Sequence, residues 1–161
     1  MKLTLSSLLL LCAIHIVSAQ NVYKSEKYGI SFESSQILDE YETEAETVIG
    51  FENDDLAVDI EVFRYDRNRK KKLYAGGILP LAQSTAKMLG FIKVSGGTEI
   101  PNIDSAVYVL AYSEDDSEEV PVFVAYIIDE KNALVFEATV YCYDNDLKEG
   151  RKIAESFKLI N

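Results

Sequence analysis

Past its first nineteen residues this 161-residue chain has no histidine and only one cysteine, and it has no tryptophan anywhere. The sole histidine, His15, and one of the two cysteines, Cys12, fall inside an apolar N-terminal segment. Each absence excludes chemistry. Without imidazole there is no Ser-His-Asp or Cys-His nucleophile, and no ordinary acid–base group titrating near neutrality. Without clustered imidazoles or thiolates there is no zinc or copper site of the usual kind. Cys142 has no partner for an internal disulfide. It reads as a small buried hydrophobe, with an interchain disulfide as the alternative.

The N-terminal segment has the form of an export signal. Lys2 gives a short positive region, Leu8 to Leu11 and Ala13 to Val17 an apolar one, and Val17-Ser18-Ala19 a small-residue cleavage site before Gln20. Leu11 stands where a lipoprotein pattern wants a small residue, so anchoring at Cys12 is not expected. No later run reaches the roughly 18 apolar residues of a membrane span. The expectation is therefore a leader over 1–19 and one secreted or periplasmic domain over 20–161, a monomer or weak dimer with no stable membrane insertion. The formal charge is −11. Such a surface repels nucleic acid and anionic lipid, and suits simple solvation or a basic partner.

The apolar pattern is mainly that of strands. Strands are expected at Tyr28 to Phe32, Thr47 to Glu52 and Leu56 to Tyr65, with Val58, Ile60 and Val62 on one face of the last. A helical spacing over Leu73 to Leu89 (Leu81, Thr85, Met88, Leu89) follows; Gly76-Gly77 and Pro80 weaken its first turns, and a start near Leu79 is the alternative that puts Pro80 in a first turn. Phe91 to Ile100 is extended and broken at Gly96-Gly97. Ala106 to Tyr112, Val120 to Ile128 and Ala133 to Tyr143 form a predicted antiparallel meander. A final helix from Leu147 to Phe157 has Asp146 as cap, Glu149 as its capping-box partner, and Leu147, Ala154 and Phe157 as its buried marks. Gly150 inside it costs up to about 1 kcal/mol relative to alanine. The fold class expected is α+β, an α/β/α sandwich with one mainly antiparallel sheet flanked by two helices.

Tyr28-Gly29-Ile30-Ser31-Phe32 resembles the Y-G-F-S-F opening strand of the PsbP-like family, which includes the extrinsic photosystem II protein and the Ran-binding Mog protein. Ile100-Pro101 and the closing Glu155-Ser156-Phe157 are similar to that family as well. Where its pattern has a proline after the opening strand, this chain has Ser34-Ser35. The resemblance implies an α/β/α sandwich serving as an accessory or binding protein, with no catalytic residue to carry over.

Most of the remaining polar clusters have plainer roles than chemistry. Ser84 and Lys87 lack the companion motifs of a serine–lysine enzyme. Asp144, Asn145, Asp146 and Glu149 do not match a calcium-loop spacing, and Asp115, Asp116, Glu118 and Glu119 read as a hairpin tip. The basic run Arg64, Arg67, Arg69, Lys70, Lys71 and Lys72 is the expected partner-binding patch in this acidic chain. Glu137, with Thr139, Tyr141 and Tyr143 on the same strand face, is the expected lining of a ligand pocket with a raised carboxyl pKa. The expected function is a non-catalytic binding or accessory domain without a cofactor or metal, acting through a protein partner in the cell envelope or outside the cell. The alternative is a domain holding a small apolar ligand between sheet and helix.

Overall fold

The longest apolar runs of the chain become its central strands. The computed structural model describes residues 20–41, 43, 45–66, 77–115 and 118–160. The expected leader lies outside them. In chain order the elements are β1 (Asn21–Ser25), β2 (Ile30–Ser34), β3 (Asp39–Tyr41), β4 (Val48–Glu52), β5 (Leu56–Arg64), α1 (Ile78–Met88), β6 (Gly97–Glu99), β7 (Ala106–Asp115), β8 (Glu118–Asp129), β9 (Leu134–Cys142), α2 (Leu147–Ser156) and β10 (Lys158–Leu159). Seven strands form one sheet in the order β3-β4-β5-β9-β8-β7-β6. Every adjacent pair in it is antiparallel. At its middle β5 joins β9, pairing Leu56 with Cys142 and Arg64 with Leu134.

Alternation along each strand splits the core in two. On one face Val58, Ile60, Phe123, Ala125, Phe136, Ala138 and Val140 pack with Ile153 and Ala154 from α2 and with Phe157 just past its end. On the other Val109, Val122, Val124 and Ile128 pack with Ala82 and Ala86 from α1. A helix therefore lies on each face, and the fold is of the expected α+β class. The structure adds a second, three-stranded sheet, β1-β2-β10, not foreseen in the sequence. Its central strand contributes Ile30 and Phe32 to the α2 side of the core.

Several boundaries differ from expectation. The meander's first hairpin keeps pairing to Asp115↔Glu118, so its two strands run past the expected bounds at Tyr112 and Val120. In Phe91 to Ile100, ladder pairing is confined to the Ile92 bridge with Tyr112 and to β6. Helix α1 has Gly77 as cap, and Pro80 falls in its first turn, where a missing N–H costs no helical bond. Its buried residues are Ala82, Thr85 and Ala86. Met88 and Leu89, expected to face inward, are 76% and 50% exposed. Small residues let α1 lie close to the sheet, and a search for large apolar spacing overlooks them.

The end of the chain explains the family-like motif residue by residue. The Tyr108 hydroxyl donates to Glu155 at 2.8 Å. Ser156 Oγ accepts the Glu33 amide at 2.8 Å. Phe157 is fully buried, its ring centroid 5.7 Å from that of Phe32. Asp146 caps α2 by accepting from the amides of Lys148 and Glu149. Glu149 does not complete the expected capping box. Its carboxylate instead accepts from Ser34 Oγ at 3.0 Å and from the Ser35 amide at 2.7 Å. A proline at position 35 would have no amide hydrogen to donate. Leu147 is exposed rather than buried, and the inward face of α2 is Glu149, Gly150, Ile153 and Ala154.

Candidate binding cleft

The β5–β9 register decides what gathers on the α1 side of the sheet. It sets Asp59 opposite Thr139 and Glu61 opposite Glu137. The core-facing residues of both strands point the other way, so these polar residues share the α1-side face. Helix α1 lies across β6, β7 and β8. Over β5 and β9 the side chains stay open to solvent: Asp59, Glu61, Glu137 and Tyr141 are half-buried, and Phe63 and Tyr143 are exposed. A cleft of about 210 Å³ forms there, lined by Val48, Asp59, Glu61, Leu89, Glu137, Thr139 and Tyr141.

Three neighbouring features hold the cleft's shape. The Tyr41 ring lies over Gly50, whose position allows no Cβ, because one would meet the ring carbons at 2.1–2.6 Å. Across that gap the Tyr41 hydroxyl donates to Asp59. From α1, Thr85 hydrogen-bonds Glu137. Tyr141 meets Phe91 edge-on at 6.0 Å and is stacked by Tyr143 at 6.0 Å and 12°. Tyr143 thus supports the cleft's aromatic wall from outside the lining itself.

Burial pushes the Glu137 carboxyl above its usual range; the Thr85 hydrogen bond opposes this and the Glu61 charge adds to it. Burial likewise raises Asp59, against the hydrogen bond from Tyr41. A carboxyl raised in the folded state stabilises the fold below its unfolded pKa, and that contribution is lost as pH rises through the folded value. Glu137→Gln removes the loss and the like charge facing Glu61. It is expected to stabilise the protein at neutral pH by about 0.2–1 kcal/mol and to flatten the decline between pH 4 and 7, measured by urea titration across that range. A variant less stable than the parent at pH 7 would contradict this account.

Of the basic run only Arg64 is described, and it does not line this cleft. Arg64 closes β5 and lines a different depression of about 350 Å³ with Lys27, Lys131 and Asn132. Arg67, Arg69, Lys70, Lys71 and Lys72 lie outside the described residues. Larger depressions, of about 660 Å³ beside Tyr28 and Tyr41 and about 520 Å³ beside Asn102 and Lys158, gather no comparable set of half-buried charges of one sign. Among the described residues no three His, Cys, Asp or Glu side chains are placed to hold a metal ion, and no helix is long and apolar enough to cross a membrane. Cys142 is buried on the α2 side, and burial pushes its thiol up to about 12, so it is no ready nucleophile.

Sequence reasoning missed Asp59, Glu61, Val48 and Leu89. Its alternation already put Asp59 and Glu61 on one face of β5. What it lacked was β9 as the neighbour that brings Glu137 beside them.

No family model matches the chain, and no curated protein matches its sequence. Solved structures do match. The Ran-binding protein Mog1p of Saccharomyces cerevisiae superposes with a TM-score of 0.57 at 8% identity, covering 89% of this chain and 96% of its own. Cyanobacterial PsbP from Synechocystis gives 0.56 at 10% identity, covering 92% and 96%. A protein of Bacteroides thetaiotaomicron gives 0.53 at 14% identity, covering 87% of this chain and 48% of its own. At such identities what is shared is the backbone plan, and this chain has the PsbP/Mog1-like fold.

Proposed function

We propose that this protein is an exported, non-catalytic accessory domain that works by binding another protein. The observation that carries the reading is the open half of the seven-stranded sheet, where half-buried carboxylates share one face with exposed Phe63 and Tyr143 and with Leu89 from the end of α1. Aromatic residues and methionine are enriched at protein interfaces, and isolated exposed ones need no such explanation. The fold likeness to a Ran-binding protein is consistent with it. Residues 1–19 are read as the leader that takes the domain out of the cytoplasm. The cleft argues against a small apolar ligand, since its volume falls below the roughly 300–1,000 Å³ of ordinary ligand pockets and its lining is charged. Affinity capture with the purified protein on the envelope fraction of its own cells, read by mass spectrometry, is expected to enrich a specific protein. Recovery of nothing above background would remove the reading.

A further inference from the structure

We infer that the cleft between β5 and β9 docks a basic segment of the partner protein, with one lysine or arginine side chain entering between Glu61 and Glu137. This rests on the protein-binding reading and names the partner's chemistry. Charge complementarity carries it. Asp59, Glu61 and Glu137 line one cleft, and among the described residues no cation pairs with any of them. Carboxylates directly opposite each other on neighbouring strands repel, and partial burial strengthens the repulsion. A cation placed between them converts that repulsion into attraction.

The rest of the lining suits a side chain rather than a bare ion. A metal would need converging oxygens, and the described residues arrange none for one. A lysine or arginine has a long apolar stem below its charge. Val48, Leu89 and the Tyr141 ring line the cleft beside the carboxylates, so stem and charge each meet a matching surface. Tyr141 and its stacked neighbour Tyr143 also present ring faces of the kind that attract cations. Beside the carboxylates, exposed Phe63 on the same face of β5 and exposed Leu89 give the flanking apolar residues of a segment somewhere to lie.

The test uses a fluorescein-labelled peptide of arginine, leucine and serine, its glutamate-for-arginine counterpart, and spermine as a small polyamine. Binding is followed by anisotropy to the intact protein, to Glu61→Gln/Glu137→Gln, and to Glu99→Gln/Glu118→Gln. Glu99 and Glu118 are exposed and lie on β6 and β8. Both double variants carry the same net charge. The cleft variant removes a like-charge pair, and an unchanged circular dichroism spectrum with a melting midpoint no lower than the parent's checks its fold. The expected result is basic-peptide binding weakened about tenfold or more by the cleft pair and nearly unchanged by the control pair. Equal weakening by both pairs, no affinity of the intact protein for the basic peptide, or spermine held as tightly as the peptide in the same cleft would each overturn the inference. Envelope capture separates it from the broader reading. A protein captured equally by the intact protein and the cleft variant defeats the cleft and leaves protein binding standing. Capture of nothing by either defeats both.

Discussion

Glu149→Ala is expected to cost about 2–4 kcal/mol, measured by equilibrium urea unfolding at pH 7. Glu149 is 3% exposed at the start of α2, and it faces the end of β2 rather than solvent. Its Oε1 accepts from the Ser34 hydroxyl and the Ser35 amide, and Lys152 approaches its other oxygen at 3.4 Å. Burial alone would raise this carboxyl, yet the hydrogen bonds from Ser35 and Ser34, with the Lys152 charge, outweigh burial and hold it below the usual range. A depressed carboxyl contributes stability above its unfolded pKa and loses it as pH falls through the folded one. The parent should therefore weaken as pH drops below about 4.5, the ordinary glutamate value. Glu149→Gln keeps an acceptor oxygen, so it should cost less than alanine and remove most of that acid slope. If alanine and glutamine variants are equally stable, or both keep the slope, the carboxylate does not tie α2 to β2 as described.

The second large effect reverses a rule of helix propensity. Gly150→Ala in a free helix would gain about 1 kcal/mol. Here a Cβ would sit 2.3 Å from Cys142 Sγ and 2.7–2.9 Å from the Phe123 ring. Both neighbours are fully buried in the central strands, so neither can swing into solvent. Overpacking of this kind costs typically about 1–3 kcal/mol, occasionally more, and the expected net outcome is a loss of up to about 2 kcal/mol. Adding Cys142→Ala should recover part of it by vacating the Sγ position. The pair should couple in a double-mutant cycle, because the two substitutions share one space. A stabilised Gly150→Ala protein would mean that α2 does not press on β8 and β9 at that point.

These two residues also show where sequence reading stops. The strands of the meander, β5 and the C-terminal helix were legible because apolar spacing reports burial directly. Asp146 was legible as a cap because capping is local. Glu149 was read as local too, as the cap's partner. Its real partners come from β2, more than a hundred residues earlier in the chain, and no spacing rule reaches that far. Gly150 read as a defect because the space around it belongs to other strands. The cleft was half legible for the same reason. Glu137, Thr139 and Tyr141 stood out on one strand, whereas Asp59 and Glu61 joined them only through a strand pairing the sequence did not reveal. The three-stranded sheet went unseen because β10 has only two residues, too few to carry a period.

The pairing of β5 with β9 has a further consequence for how the chain reaches this state. Strands β3 to β5 are made early and β9 late, so while the chain is still emerging β5 ends an incomplete sheet with one side unmatched. Contacts so distant in sequence form slowly, and an unmatched apolar strand is an invitation to another copy of itself. Val58, Ile60 and Val62 would favour that error. Asp59 and Glu61, interleaved among them, would meet the carboxylates of the intruding copy without relief. The acids of the cleft thus guard the waiting edge against self-association until Leu134–Cys142 arrives to take its place.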